Sequence, residues 1–156
     1  MKGRATCPRC GGEVRPPGVW SSRWSCRIHG DVYPLQPITA PSARLARQLG
    51  ERSAIPLWLS WPMPRGWVVG AILHAGDEVS GVRATGVVTS GPNPMGGPAD
   101  LMLVAEEPGV GLGARFAGVE GADPGAAVQQ EPHAKLEVES RPVPLWWVDC
   151  PGDRAV

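Results

Sequence analysis

Charge is scarce in this sequence. Asp, Glu, Lys and Arg make up 19% of its 156 residues, and they balance to a formal net charge of zero. With 42% apolar residues there is enough hydrophobic surface for a folded core, which excludes disorder of the whole chain. Long apolar runs are also missing: the longest, residues 67–73, falls far short of the ~20 residues that cross a bilayer as a helix. Residues 6–12 are polar and carry two cysteines where a secretory signal has its apolar centre. The expectation is therefore a cytoplasmic protein without a membrane partner, in a compartment where cysteines serve metals more than disulfides. Internal repeats of about 20–50 residues are absent. So are G-x-S-x-G, H-E-x-x-H and other catalytic signatures.

Glycine (21) and proline (18), by contrast, make up a quarter of the chain. In helix interiors they cost roughly 1 and 3 kcal/mol relative to alanine, so composition favours short strands and many turns. The length suits one domain, or one modest domain with a small appendage.

Four stretches are expected. Residues 1–37 form a zinc-ribbon module with strand character over 14–24 and 31–36, closed by Pro34 and Pro37. Residues 38–55 form a linker with one short helix, with Ser42 as N-cap, Leu45 and Leu49 on one face and Gly50 as its stop. Residues 56–150 form a β-rich domain of unknown function. It opens with an extended Trp/Pro segment over 56–64, since each proline pushes its predecessor out of the helical region. About six strands follow, over 67–74, 81–89, 101–106, 112–117, 135–139 and 144–148, with turns between them and a Gly/Asp/Pro loop over 118–125. Residues 151–156 are a tail. The predicted fold class is mostly β (α+β): a small zinc ribbon, then a mainly antiparallel sheet or open barrel.

The strongest chemical signal lies in two short turns. Cys7-Pro8-Arg9-Cys10-Gly11-Gly12 is a C-x2-C knuckle, and with fifteen residues between Cys10 and Cys26 there follows Cys26-Arg27-Ile28-His29-Gly30, a C-x2-H knuckle. In each, the tight turn aims both ligands at one point, and the glycine after the second ligand lets the chain bend away. Joined, they complete a Cys3His shell of Cys7, Cys10, Cys26 and His29, a closed structural site for one Zn²⁺. Four protein ligands leave no open position for catalysis. His74, His133 and Cys150 are alternative fourth ligands without the local spacing. A unit of some 35 residues buries too little apolar surface to fold unaided. Metal binding, roughly 10–16 kcal/mol in comparable peptides, would supply that folding energy.

Charge is unevenly placed. Residues 1–52 carry nine Lys/Arg against three Asp/Glu, a net +6, and residues 53–156 carry six against twelve, a net −6. The basic half either meets an anionic partner or docks on the acidic half. Trp20 and Trp24, near Arg15, Arg23 and Arg27, either stack nucleobases or form the apolar face of the ribbon. Trp58, Trp61 and Trp67 either form a partner-binding ledge or cap the sheet. Residues 108–115 are glycine-rich but lack the phosphate-loop and dinucleotide patterns, and the structural reading is a bulged strand. Glu106 and Glu107, with Asp100 and Arg115, read as a solvated strand end or, less simply, an acid/base site. His74 and His133 read as satisfied or surface histidines, and Cys150 as a bystander thiol.

The paired knuckles resemble zinc-ribbon and rubredoxin-type modules over about 30 residues, a likeness specific for metal and silent on function. A wider resemblance rests on Cys-Pro-x-Cys-Gly-Gly, on Cys-x-x-His-Gly-Asp-Val-x-Pro-Leu-Gln-Pro and on Leu112-Gly113-Ala114-Arg115-Phe116-Ala117-Gly118. Together they look like a family of uncharacterised actinobacterial proteins with an N-terminal zinc knuckle and a domain of unknown function. Some of its members carry a phosphotransacetylase label, which the short chain and absent phosphate loop do not support. Three readings follow: a non-catalytic binding or regulatory module for a protein partner, a nucleic-acid binder acting through the basic half, or an enzyme on a small acyl or phosphorylated compound using Glu106, Arg115 and His74.

Overall fold

A computed structural model describes residues 4–38, 40–123 and 130–152. Position 39 of the expected linker, the end of the 118–125 loop and most of the 151–156 tail lie outside the described residues. The described chain is mostly β. Strands β1 (Val14–Arg15), β2 (Ser25–Cys26) and β3 (Gly30–Asp31) form a small antiparallel sheet. Strands β4 (Leu35–Ile38), β5 (Val68–Asp77), β6 (Gly81–Pro92) and β7 (Pro98–Glu106) form a second, in the order β4-β5-β6-β7 and antiparallel throughout. Strands β8 (Ala134–Val138) and β9 (Arg141–Leu145) pair as a separate hairpin. The four-stranded sheet stays open and does not close into a barrel.

Alternation along the strands gives this sheet two apolar faces, each covered differently. On one, Leu35, Leu73, Ala75 and Ala84 pack with Val110 and Leu112, joined by Met102 and Val104. On the other, Ile72 and Val87 pack against Leu49 of α1 (Ala43–Arg52), with Ile38, Leu57 and Val69 around them. Thr85, buried on that second face, donates to the Pro56 carbonyl at 2.6 Å and so ties down the start of the Trp/Pro segment. No helix among the described residues is long and apolar enough to cross a membrane.

Several sequence expectations need correction. The helix begins where predicted, with the Ser42 hydroxyl accepting from Leu45 N–H, but it runs through Gly50 to Arg52. A glycine whose Cβ position faces open space costs a helix only about 1 kcal/mol, which packing of Leu49 overrides. Residues 112–117, expected as a strand, form a second helix, α2 (Leu112–Ala117). Gly111 and Gly118, both in the left-handed region, bracket it, and the Glu106 carboxylate accepts from the N–H groups of Leu112 and Gly113. The glycines thus mark helix ends rather than strand bulges. The 31–36 stretch divides at Pro34, so that its second part joins the larger sheet as β4. Finally, residues 14–24 are not one strand. Gly18 and Ser21 bridge each other across a tight turn with Val19 and Trp20 at its tip. Trp20 is 97% exposed and forms no part of an apolar ribbon face.

Candidate metal centre

The first knuckle is closed by its own backbone: Gly11 N–H donates to the Cys7 carbonyl at 2.8 Å, and Cys7 N–H donates to that of Gly12 at 2.8 Å. Gly11 sits at φ +73°, a conformation open to glycine without penalty. The second knuckle is the turn between β2 and β3. There Ile28 N–H points at the Cys26 sulfur at 3.5 Å, and Gly30 again has positive φ. Pairing of Val14 with Cys26 and of Cys26 with Gly30 fixes the two turns side by side.

The ligand atoms converge as a result. Cys7 Sγ lies 3.5 Å from His29 Nδ1, Cys26 Sγ lies 3.6 Å from the same nitrogen, and Cys10 Sγ lies 3.8 Å from Cys26 Sγ. All four donor atoms fall within 4.8 Å of one another, and the group can hold a metal ion. The cysteines are free, since 3.8 Å is far beyond a disulfide bond of about 2.05 Å. Burial pushes the Cys7 thiol up to about 11. Burial acts the same way on Cys26 but is outweighed by the N–H groups of Ile28 and His29 and by the His29 ring, which bring it down to about 6. A sulfur held as thiolate among polar N–H groups is the electrostatic setting a cation completes.

The other predicted residues lie elsewhere. Cys150 Sγ donates to the Val148 carbonyl, and His133 Nδ1 accepts from Trp147 N–H, both away from the cluster. His74 pairs with Thr85 in the sheet and lines a groove against α1. Glu106 lines a different cavity, beside β7 and α2, and its register partner Ala84 belongs to the opposite face of the sheet from Ile72. Burial raises the Glu106 carboxyl above the ordinary range, against the pull of the N–H groups of Leu112 and Gly113. Glu107 pairs instead with Arg83 at 2.7 Å. Glu106, Arg115 and His74 therefore do not gather in one pocket, as an acid/base site would require.

Sequence reading missed how the knuckle is fastened. Arg9, inside the first knuckle, donates from Nη2 to the Gly109 carbonyl and from Nε to that of Val110. Arg115, on α2, donates back to the Cys7 carbonyl at 3.3 Å, and its guanidinium lies 5.0 Å from the centre of the Phe116 ring. A backbone bridge between Thr6 and Leu35 adds a third link. The arginine contacts join residues about a hundred positions apart, so no local pattern announces them.

A family of unknown function matches the chain over residues 1–156. No curated protein and no solved structure matches it.

Proposed function

The chain belongs to this family, DUF6758, whose function is unknown, and we propose a function from the site alone: a structural zinc module that presents a binding surface to a protein partner, without catalysis. The observation that carries the metal is the spacing of the donors. A tetrahedral ion with Zn–S near 2.3 Å and Zn–N near 2.0–2.1 Å sets S···S edges of about 3.8 Å and S···N edges of about 3.6 Å. The donor separations of 3.8, 3.5 and 3.6 Å match those edges, and three sulfurs with one imidazole are a donor set that suits zinc. Cys7, Cys10, Cys26 and His29 would hold the ion in a closed shell, and the ion would order residues 1–37. The cytoplasm, where thiols stay reduced, is the compartment this chemistry favours.

The binding role is supported by apolar side chains that the fold leaves outside. Trp20, at the tip of the turn between the knuckles, and Trp61, in the Trp/Pro segment, are both largely exposed. Large amphipathic rings on rigid elements are typical interface anchors. Elemental analysis of the purified chain is expected to find about one zinc per molecule. Capture experiments with a metal-loaded bait and a Cys26→Ser bait are expected to differ in the protein retained. A chain that purifies without zinc, or identical capture by both baits, removes this reading.

One observation favours a second reading. Between Val14 and Gly30 there is no acidic residue, and Arg15, Arg23 and Arg27 are exposed, as is the Trp20 ring, with Arg23 paired to Asp31 at 3.3 Å. Single-stranded nucleic acid would stack a base on that ring and place phosphates by the guanidiniums. Such binding must weaken steeply with salt, because phosphate contacts release counterions. Binding insensitive to ionic strength would exclude it.

A further inference from the structure

The three sulfurs of the cluster differ in what surrounds them. Cys7 and Cys26 are buried, at 0% and 6% exposure, whereas Cys10 is exposed. Beside the Cys10 sulfur stands Gly12, itself exposed. A Cβ at Gly12 would lie 3.4 Å from Cys10 Sγ, so the missing side chain leaves that approach open. The backbone of Gly12, unlike that of Gly11, is outside the left-handed region and does not itself call for glycine.

Mobility is divided in the same way. Cys7 is fastened on both sides: its N–H donates to the Gly12 carbonyl, and its carbonyl accepts from Gly11 N–H and from Arg115. Cys26 is held in β2, opposite Val14 on one side and Gly30 on the other. The sulfur that Cys10 meets at 3.8 Å is that of Cys26, across the junction of the two knuckles. A disulfide bond of about 2.05 Å is within reach of this pair by movement of the exposed partner. With an ion bound, all three sulfurs are thiolates, the form of cysteine that reacts with peroxides.

We propose that Cys10 is an oxidation site that takes a hydroperoxide as its co-reactant and closes on Cys26, so that the metal is released. The Cys10 thiolate attacks one oxygen of hydrogen peroxide; an S–O bond forms, the O–O bond breaks and hydroxide leaves. The Cys26 thiolate then attacks the sulfenic sulfur of Cys10; the S–S bond forms and a second hydroxide leaves. The two sulfurs give up two electrons in all, and the peroxide takes both. Cys7 and His29 remain, too few donors for a closed shell. The proposal rests on the zinc reading above and adds reversible thiol oxidation as the control on whether the module is loaded.

The test uses the full chain with Cys150→Ser, so that Cys7, Cys10 and Cys26 are its only thiols, and its zinc is measured first. Brief labelling of the zinc-loaded chain with an alkylating reagent is expected at Cys10 ahead of Cys7 and Cys26. Hydrogen peroxide is expected to release zinc to a chromophoric chelator, with a Cys10–Cys26 disulfide appearing in step on peptide mapping. A dithiol reductant with added zinc should restore the loaded chain. Gly12→Ala sets a methyl group against the Cys10 sulfur. Compared on zinc-loaded protein, it should slow both alkylation and zinc release severalfold. The proposal is overturned by a disulfide at Cys7, by zinc release without a disulfide, by first labelling at Cys7 or Cys26, or by an unchanged rate in Gly12→Ala. Zinc that stays bound through peroxide treatment rejects the oxidation site alone. A chain that carries no zinc before peroxide is added removes the metal reading, and this proposal with it.

Discussion

At Gly11 a side chain has nowhere to go. The backbone is at φ +73°, and a Cβ there would stand 2.5 Å from Nη2 of Arg115. Gly11→Ala is therefore expected to cost about 1–2 kcal/mol from the left-handed backbone alone, and more if Arg115 is displaced, as measured by urea denaturation. Arg115→Met keeps the length of the side chain but cannot donate to the Cys7 carbonyl. It should lower stability by about 1–3 kcal/mol, the range for a hydrogen bond from a charged group, while zinc content stays unchanged. Cys26→Ser is the complementary change. Zinc should be lost, and amide protection over residues 4–31 should disappear while β5 to β7 keep theirs. Retention of metal by that variant would show the ligand assignment to be wrong. The convergence of the four donors was legible in the sequence because each pair sits within one turn, where spacing fixes geometry. Arg115 was not, because its acceptor is 108 residues away.

Elements were legible to the degree that local chemistry decides them. α1 was found from Ser42, and Ser42→Ala is expected to destabilise the chain by about 1 kcal/mol in thermal or chemical melts. The turn between β5 and β6, expected between residues 74 and 81, falls just after Asp77, and the structure shows what holds it. One oxygen of Asp77 accepts from Val79 N–H at 3.0 Å, Ser80 N–H at 2.7 Å and the Ser80 hydroxyl at 2.7 Å. Burial opposes ionisation there, but the Ser80 and Val79 donors outweigh it and hold the carboxyl below its ordinary 3.8. With the folded value below the unfolded one, the stabilisation is present above that ordinary value and fades as pH falls through the folded value. Asp77→Asn should accordingly be about 1 kcal/mol less stable than the parent at neutral pH, with the gap closing in acid; a gap constant with pH would contradict the cause given. α2 was misread because six residues between glycines suit a bulged strand as well as a capped helix. What decides is Glu106, whose carboxylate satisfies the first helical N–H groups.

At the scale of the molecule the knuckles and the sheet are coupled through few atoms: Arg9 to the loop before α2, Arg115 to Cys7, and Thr6 to Leu35. Removing the metal with a chelator is expected to release amide protection in residues 4–31 and to loosen α2, whose Arg115 loses its acceptor, while β5 and β6 exchange as before. Simultaneous collapse of the whole four-stranded sheet would show that the metal orders more than the ribbon. The sequence alone determined the Cys3His quartet that could hold a metal, the predominance of strands and the start of α1, because turns, caps and alternation act over a few residues. Only tertiary structure decided that the sheet stays open, that Trp20 stands outside it, and that Glu106 and His74 lie on opposite faces. Each of those depends on which distant segments meet, and burial free energy, not spacing along the chain, makes that choice.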